Sequence, residues 1–357
     1  MKKFLIATTI LVSTAGFAAA EVKINGTAGM GLKYGSEGDG DVTTSEDAKT
    51  RVFSKVNLEF VGSGESDGGL AFGFFTNLLV ENNGGAYSND DTQVYISGAF
   101  GKLSMGAVSE ADEVAGLSDI GWDGLEVDDI AESIVGDDLD DLTGVSLGHN
   151  VNYTYEANGF KVSISGLLAE DPDNLVFPTS ATSEKATESY AVGVKYSFSD
   201  YYVGLGYASH DSAYIADSKI GDLVGGIAGR FDSEVVSIYG GATFGDIGVK
   251  ALYAQGDHTA TPNGAAAVGI DSESFGISGS YKMDALTLTA AYAKAEFEAL
   301  GLKAEEEAYG IGASYDLGGG ASVSGGIASV KSGDEGYGTF LAPVRETRAD
   351  FGLTLKF

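Results

Sequence analysis

Apolar and polar residues alternate along most of the chain after residue 20. In the C-terminal stretch RADFGLTLKF the apolar residues share one parity and the polar residues share the other: Phe351, Leu353, Leu355 and Phe357 against Arg348, Asp350, Thr354 and Lys356. Successive side chains of a β-strand point to opposite faces, so such a strand has one apolar and one polar face. The same alternation recurs in about 16 segments, which predicts an all-β protein.

Short and long connections alternate between the predicted strands. Tight turns such as 98–102 and 245–246 alternate with long polar segments, the longest running from Val108 to Gly144. The other long segments are predicted at 36–50, 81–91, 169–187, 209–234, 255–272, 294–306 and 330–344. Transmembrane β-barrels have short periplasmic turns and long outer loops, and about 9 to 11 tilted residues cross the apolar layer. The pattern therefore predicts a transmembrane antiparallel β-barrel of about 16 strands, as a single domain over residues 21–357.

The two faces of such a barrel have different surroundings. We expect the apolar face to meet lipid or a neighbouring subunit and the polar face to line a watery interior. An unpaired strand edge in hydrocarbon costs several kcal/mol for each backbone group. The last strand, Arg345 to Phe357, is therefore predicted to pair with the first strand, Val22 to Tyr34.

Residues 1–20 have the features of a secretory signal peptide. Lys2 and Lys3 precede an apolar run from Phe4 to Phe17, and three alanines end at Ala20. This order predicts export with cleavage after Ala20. The chain contains no cysteine, so we expect no disulfides in the exported protein.

The chain is strongly acidic, with 52 Asp and Glu against 21 Lys and Arg and a formal net charge of −31. This charge makes nucleic acid an improbable partner. Self-repulsion would strain a compact globule, but it matters less where the acids lie on water-filled surfaces and long loops. The charge therefore agrees with the predicted barrel.

The segment from Val108 to Gly144, the third long loop, contains thirteen acids and no lysine, arginine or histidine. It also contains apolar residues that need a packing partner: Val114, Leu117, Ile120, Trp122, Leu125, Ile130 and Ile134. We therefore predict that this loop folds inward against the barrel wall and constricts the pore. The alternative is an exposed loop with solvated charges.

In the inward arrangement, loop carboxylates make one side of the pore negative: Glu110, Asp112, Glu113, Asp119, Asp123, Glu126, Asp128 and Asp129. Inward-facing bases are predicted on the opposite wall: Lys33, Arg51, Lys55 and Arg348. A transverse field of this kind favours ions and dipolar solutes over apolar ones.

The sequence gives weaker support for a calcium site or a catalytic site. Calcium takes six to eight oxygen ligands, and the loop offers Asp137, Asp138, Asp140 and Asp141, but without the spacing of a helix-loop-helix site. We prefer solvated carboxylates and keep calcium as the alternative; no cofactor is required. The three histidines, His149, His210 and His258, are separated and no Gly-x-Ser-x-Gly elbow accompanies them, so we predict no enzyme.

Several stretches resemble the general porins of the outer membrane, most closely those of photosynthetic purple alphaproteobacteria. They are EVKINGTAGMG (21–31), SGAFGKLSMG (97–106), VGLGYA (203–208), YGIGASYDLGGGAS (309–322) and the terminal Phe357. The resemblance implies a homotrimer of sixteen-stranded barrels in the Gram-negative outer membrane, in contact with lipid and lipopolysaccharide. It also implies that Phe357 is the signal read by the barrel-assembly machinery.

The resemblance further implies passive diffusion of small hydrophilic solutes through a pore narrowed by the third loop. Such porins usually place arginines on the first strands facing the constriction. Here the first strand has Thr27 and Gly29 around its middle and leaves Arg51 and Lys55 as the main candidates, which favours a preference for cations. The alternatives are a non-pore surface barrel or adhesin, a barrel hydrolase, and a soluble exported β-protein.

Overall fold

The computed structural model describes residues 21–35, 49–81, 87–88, 92–112, 117–118, 120–122, 149–168, 188–212, 229–262, 264, 266–332 and 344–357. All regular secondary structure in these ranges is β-strand. No helix in these ranges is long and apolar enough to cross a membrane. The predicted signal peptide lies outside the described residues.

Seventeen strands follow one another along the described chain. Their bounds are β1 (Glu21–Gly35), β2 (Lys49–Glu65), β3 (Ala71–Glu81), β4 (Tyr87–Ser88), β5 (Gln93–Gly98), β6 (Gly101–Val108), β7 (His149–Ala157), β8 (Phe160–Leu167), β9 (Glu188–Phe198), β10 (Tyr201–Ser212), β11 (Gly229–Phe244), β12 (Ile247–Pro262), β13 (Val268–Met283), β14 (Leu286–Ala299), β15 (Leu302–Gly318), β16 (Ala321–Ser332) and β17 (Val344–Lys356). The two-residue β4 adds to β3, which also pairs with β5, so sixteen strands of the described chain form the wall.

The sheet closes on itself. Each wall strand pairs antiparallel with its neighbours in sequence, and β1 pairs with β17 from Thr27↔Lys356 to Tyr34↔Ala349. Beyond that register Gly26 donates its N–H to the carbonyl of Phe357 at 2.7 Å and accepts the N–H of Phe357 at 2.9 Å. The predicted sixteen-stranded antiparallel barrel and its first-to-last pairing are confirmed.

Large apolar side chains cover the outer face of the wall. Val52, Ile24 and Ile311 expose 79, 64 and 62 % of their surface. Near the short turns of β8 to β11, ring pairs run along this face, with centroids 4.3 Å apart for Phe160 and Tyr196 and 5.4 Å apart for Phe198 and Tyr201. An apolar band with an aromatic edge is the surface that a barrel presents to lipid.

Two of the predicted long loops are wrong. The structure continues β12 to Pro262 and starts β13 at Val268, so most of 255–272 is strand. It also joins β14 and β15 by the two residues Leu300 and Gly301, at φ 55° and 79°, in place of the predicted loop 294–306. The prediction of loops rests on the polar character of these segments in the sequence.

Apolar and charged residues do alternate in the segment 294–306, but the apolar residues face the barrel interior and the charged residues face outward. On β14 small or apolar residues face inward and are buried, whereas charged residues face outward: Ala293, Ala295, Phe297 and Ala299 against Lys294, Glu296 and Glu298. Where a strand extends beyond the apolar layer, its outer face meets water and can carry charge. Ion pairs join the outer face of β14, β15 and β16 there, from Glu305 to Lys294 at 3.0 Å and to Lys331 at 2.9 Å.

Candidate functional site

The loop that follows β6 starts along the inner surface of the barrel. The carbonyl of Ser109 accepts a hydrogen bond from Nδ2 of Asn152 on β7 at 2.8 Å. The N–H of Ala111 donates to Oγ of Ser165 on β8 at 2.7 Å. Both partners are inward-facing side chains of the wall, so the chain turns into the barrel directly after β6.

The same loop continues across the inner surface of later strands. The N–H of Ser118 donates to Oγ of Ser278 on β13 at 2.7 Å. Nζ of Lys250 on β12 donates to the carbonyl of Leu117 at 3.4 Å. The described part of the loop is thus tied to the wall by polar side chains from β7 to β13.

Inward-facing glycines make room for the loop backbone. A Cβ at Gly193 on β9 would lie 1.8 Å from the carbonyl oxygen of Ala111, and a Cβ at Gly326 on β16 would lie 2.7 Å from Cα of Gly121. Any larger residue at either position would push the loop off the wall. We define a glycine track as the inward glycines that the loop approaches this closely: Gly31, Gly193, Gly206, Gly312, Gly326 and Gly352.

Trp122 anchors the loop on the strands that close the barrel. It is 2 % exposed, and its backbone N–H donates to Oδ1 of Asp350 at 2.8 Å. Its indole Nε1 donates to Oγ1 of Thr354 at 3.1 Å, and its ring meets Phe53 edge-on with centroids 5.7 Å apart. The ring lies where side chains would stand at three glycines of β1 and β17: Gly29, Gly31 and Gly352.

Packing confirms that apolar residues of the loop face the wall. Leu117, Ile120 and Trp122 are each 2 % exposed. Leu117 belongs to a buried cluster with wall residues such as Leu252 and Phe297. The other predicted packing residues lie outside the described residues: Val114, Leu125, Ile130 and Ile134. The inward fold of the third loop is therefore confirmed for its described part.

The two described loop acids are buried, which differs from the expectation of carboxylates lining open water. Glu110 and Asp112 are 4 and 5 % exposed, and Oε1 of Glu110 lies 3.7 Å from Nε2 of His149. The physical reason is the close approach of this part of the loop to the wall, since Cβ of Asp112 takes the space of a side chain at Gly206. The other six predicted constriction acids lie outside the described residues: Glu113, Asp119, Asp123, Glu126, Asp128 and Asp129.

The proposed calcium ligands also lie outside the described residues: Asp137, Asp138, Asp140 and Asp141. Among the residues that the structure does describe, no group of three His, Cys, Asp or Glu side chains is arranged to hold a metal ion. Calcium therefore stays a hypothesis from the sequence.

The four predicted basic residues lie on one wall, formed by the adjacent strands β17, β1 and β2. Lys33 is directly opposite Arg51, and Gly29 is opposite Lys55. Nζ of Lys33 lies 3.6 Å from the ring centroid of Phe53, and Nη1 of Arg51 donates to the carbonyl of Gly35 at 3.1 Å. Arg348 pairs with Glu346 on its own strand. Trp122 therefore brings the loop onto the basic wall itself.

The histidines are buried parts of the wall. The two ring nitrogens of His149 lie 2.6 and 2.7 Å from Oγ of Ser165 and Ser189. Those of His258 lie 2.6 and 2.8 Å from Oγ of Ser233 and Ser272. Both of these rings bridge strands from inside the barrel, away from the outer wall where a barrel hydrolase would bind lipid. His210 is also 2 % exposed, but its ring nitrogens have no hydrogen-bond partner among the described residues.

Sequence reasoning missed the glycine track and the partners of Trp122. The signal for the track was a glycine at the inward parity of successive strands, but only the path of the loop shows which glycines are needed. A second set of residues was also missed, the inward-facing lysines near the short turns of β6, β8, β9 and β12: Lys102, Lys161, Lys195 and Lys250.

Comparisons with known proteins show which family shares this sequence and fold. A family model described as "Gram-negative porin" matches residues 7–335. A porin of Rhodobacter capsulatus is 32 % identical over an alignment of 359 positions, which covers 94 % of this chain and all of that protein. A porin structure refined at 1.8 Å resolution superposes with a TM-score of 0.61 at 28 % identity, covering 94 % of this chain and all of the other. An anion-selective porin from Comamonas acidovorans shares the fold, with a TM-score of 0.65, 16 % identity and coverage of 95 and 100 %.

Proposed function

Since this chain belongs to the family of Gram-negative porins, we propose that it selects solutes by size at the third loop and prefers cations. It is an outer-membrane porin, which forms a water-filled channel for passive diffusion of ions and small hydrophilic solutes. The observation that carries the size proposal is the position of the described loop residues, 109–112, 117–118 and 120–122, which lie against the inner wall of a closed barrel. A solute that crosses the barrel must pass this segment.

The constriction is held in place by packing and hydrogen bonds. The backbone of the loop fits against glycines of the wall, and Trp122 closes the contact on β17 and β1. Close-packed contacts of this kind have one well-defined arrangement, so the described part of the loop has a fixed position on the wall. Passage then depends on the size of the solute and on the charges that line its path, and needs no energy input.

Two facts bear on the preference for cations, and they point in opposite directions. The net charge of −31 and the thirteen acids between Val108 and Gly144 make the loop side negative. The described wall beside Trp122 carries Lys33, Arg51 and Lys55. We give more weight to the acids, because they are more numerous and the loops in which they concentrate lie on the side from which external solutes enter.

Reversal potentials in a planar bilayer test this preference. At 0.1 M KCl we expect K⁺ to be roughly 3 times as permeant as Cl⁻, which corresponds to about 0.65 kcal/mol, and the ratio to fall towards 1 at 1 M as the Debye length shrinks from about 10 to about 3 Å. Asp128→Asn with Asp129→Asn should lower the ratio. The control is Asp246→Asn with Asp284→Asn, which removes the same charge from exposed short turns. A reversal potential of the opposite sign in the unmodified protein would contradict the proposal.

The remaining parts of the proposal rest on the sequence and, for the absence of catalysis, also on the structure. We propose assembly as a homotrimer, contact with outer-membrane lipid and lipopolysaccharide, uptake by the barrel-assembly machinery through Phe357, and no catalysis. The burial of His149 and His258 behind the wall supports the last point, because a hydrolytic histidine has to reach a substrate. A non-pore surface barrel or adhesin is the competing class, and conductance separates it from a porin.

A further inference from the structure

Two lysines are paired directly across neighbouring strands inside the barrel. Lys161 on β8 is opposite Lys195 on β9. Ser165 on β8 and Gly193 on β9 share their parity, and both of these meet Ala111 of the loop on the inner side of the wall. The two lysine side chains therefore also point into the channel, close to the short turns that end these strands.

The flanking strands compensate this pair only in part. Like charges directly opposite each other destabilise an antiparallel pair. Glu156 on β7 lies opposite Lys161, whereas Lys195 has Gly204 on β10 as its other neighbour. One carboxylate thus faces two ammonium groups, and the pair keeps an excess positive charge.

Two further lysines extend the positive charge on both sides. Lys102 on β6 lies within electrostatic range of Lys161, and Lys250 on β12 lies within range of Lys195. Lys195 makes a cation–π contact with Tyr202, with its Nζ 4.3 Å from the ring centroid. Lys250 also contacts the loop through the carbonyl of Leu117. We call these four residues the lysine row.

We propose that the lysine row is a binding station for compact multivalent anions at the turn-side mouth of the channel. This inference rests on the proposed function as a passive channel. An ammonium group has three donors on a flexible stem, so Lys161 and Lys195 can both reach an anion lying between them. Binding removes the repulsion between the two lysines and forms charge-assisted hydrogen bonds. A solute with two or more carboxylate or phosphate charges gains from both lysines, whereas a monovalent anion neutralises only one.

Block of the single-channel current by citrate tests the station. The channel is recorded in 0.1 M KCl while trisodium citrate is added to either side, with acetate at equal ionic strength for comparison. We expect citrate, and not acetate, to reduce the current. Lys161→Gln with Lys195→Gln should raise the half-blocking citrate concentration about tenfold, because each lost charge at short range costs a few-fold in affinity. Each single variant should raise it about threefold, which keeps the test open if the double variant assembles poorly.

Lys303→Gln is the control. Lys303 lies at the start of β15, at the end of the barrel opposite to the short turns and remote from the lysine row. It should leave citrate block unchanged, and Lys161→Arg with Lys195→Arg should retain it. A conducting channel that citrate does not block, or equal block in the double variant and the unmodified protein, would overturn the station. Absence of any KCl conductance would instead contradict the proposed function.

Discussion

Replacing Trp122 with alanine is expected to raise the single-channel conductance and admit larger solutes. The indole is 2 % exposed and occupies space that three glycines leave open. Truncating a buried tryptophan costs about 3 to 5 kcal/mol, and the hydrogen bond from Nε1 to Thr354 is lost as well. A loss of about 3 kcal/mol shifts the docking of the loop by roughly 100-fold, so the loop should leave the wall. Recordings in KCl, and exclusion of sugars of graded size, measure the result.

A second variant should also release Trp122 from the wall, but it leaves the sequence of the loop unchanged. In Gly352→Val the new Cβ would lie 2.2 Å from the indole ring, so Trp122 cannot dock. Gly269→Val is the matched control, since a Cβ at Gly269 meets nothing within 4 Å. If Trp122→Ala and Gly352→Val both conduct like the unmodified protein, Trp122 does not hold the constriction.

Deleting Phe357 is expected to reduce the yield of folded barrel at least tenfold, measured as the band that migrates differently in detergent gels before and after boiling. The deletion removes both backbone hydrogen bonds between Gly26 and Phe357. These bonds extend the β1–β17 seam, and an unpaired backbone group there costs several kcal/mol if lipid surrounds it.

Phe357→Ala separates the backbone from the side chain, because it keeps both hydrogen bonds. In refolding from detergent, where no assembly machinery is present, Phe357→Ala should therefore fold far better than the deletion. In cells both should accumulate poorly if the aromatic ring is the assembly signal. Refolding of the deletion at the level of the unmodified protein would show that the seam does not need its last residue.

The period of two was enough to predict the barrel, because each strand separates two different environments. Phe351 and Leu353 face outward while Asp350 and Thr354 face the loop, as the last ten residues indicate. The same rule failed at Lys294 to Glu306, where the outer face is charged because the strands extend beyond the lipid. A sequence pattern shows which side chains share a face, but the surroundings of that face also depend on its height in the membrane.

The site was predictable only in outline. The apolar residues Leu117, Ile120 and Trp122 indicated that the loop packs inward, and the structure confirms it. Gly193 and Gly352 gave no such indication, because a glycine in a strand has many roles until the path of the loop is known. The burial of Glu110 and Asp112 was missed because it, too, depends on the path of the loop along the wall.

The permeability of the purified protein tests the central claim, that a barrel closed by β1 and β17 is narrowed by its third loop. Single-channel conductance is measured in KCl with neutral sugars of increasing size. The account predicts a steady channel whose conductance falls with sugars small enough to enter and is unaffected by larger ones, with the size limit shifted upward in Trp122→Ala. Heat-modifiable protein that forms no channel, or a size limit that is the same in Trp122→Ala, would contradict it.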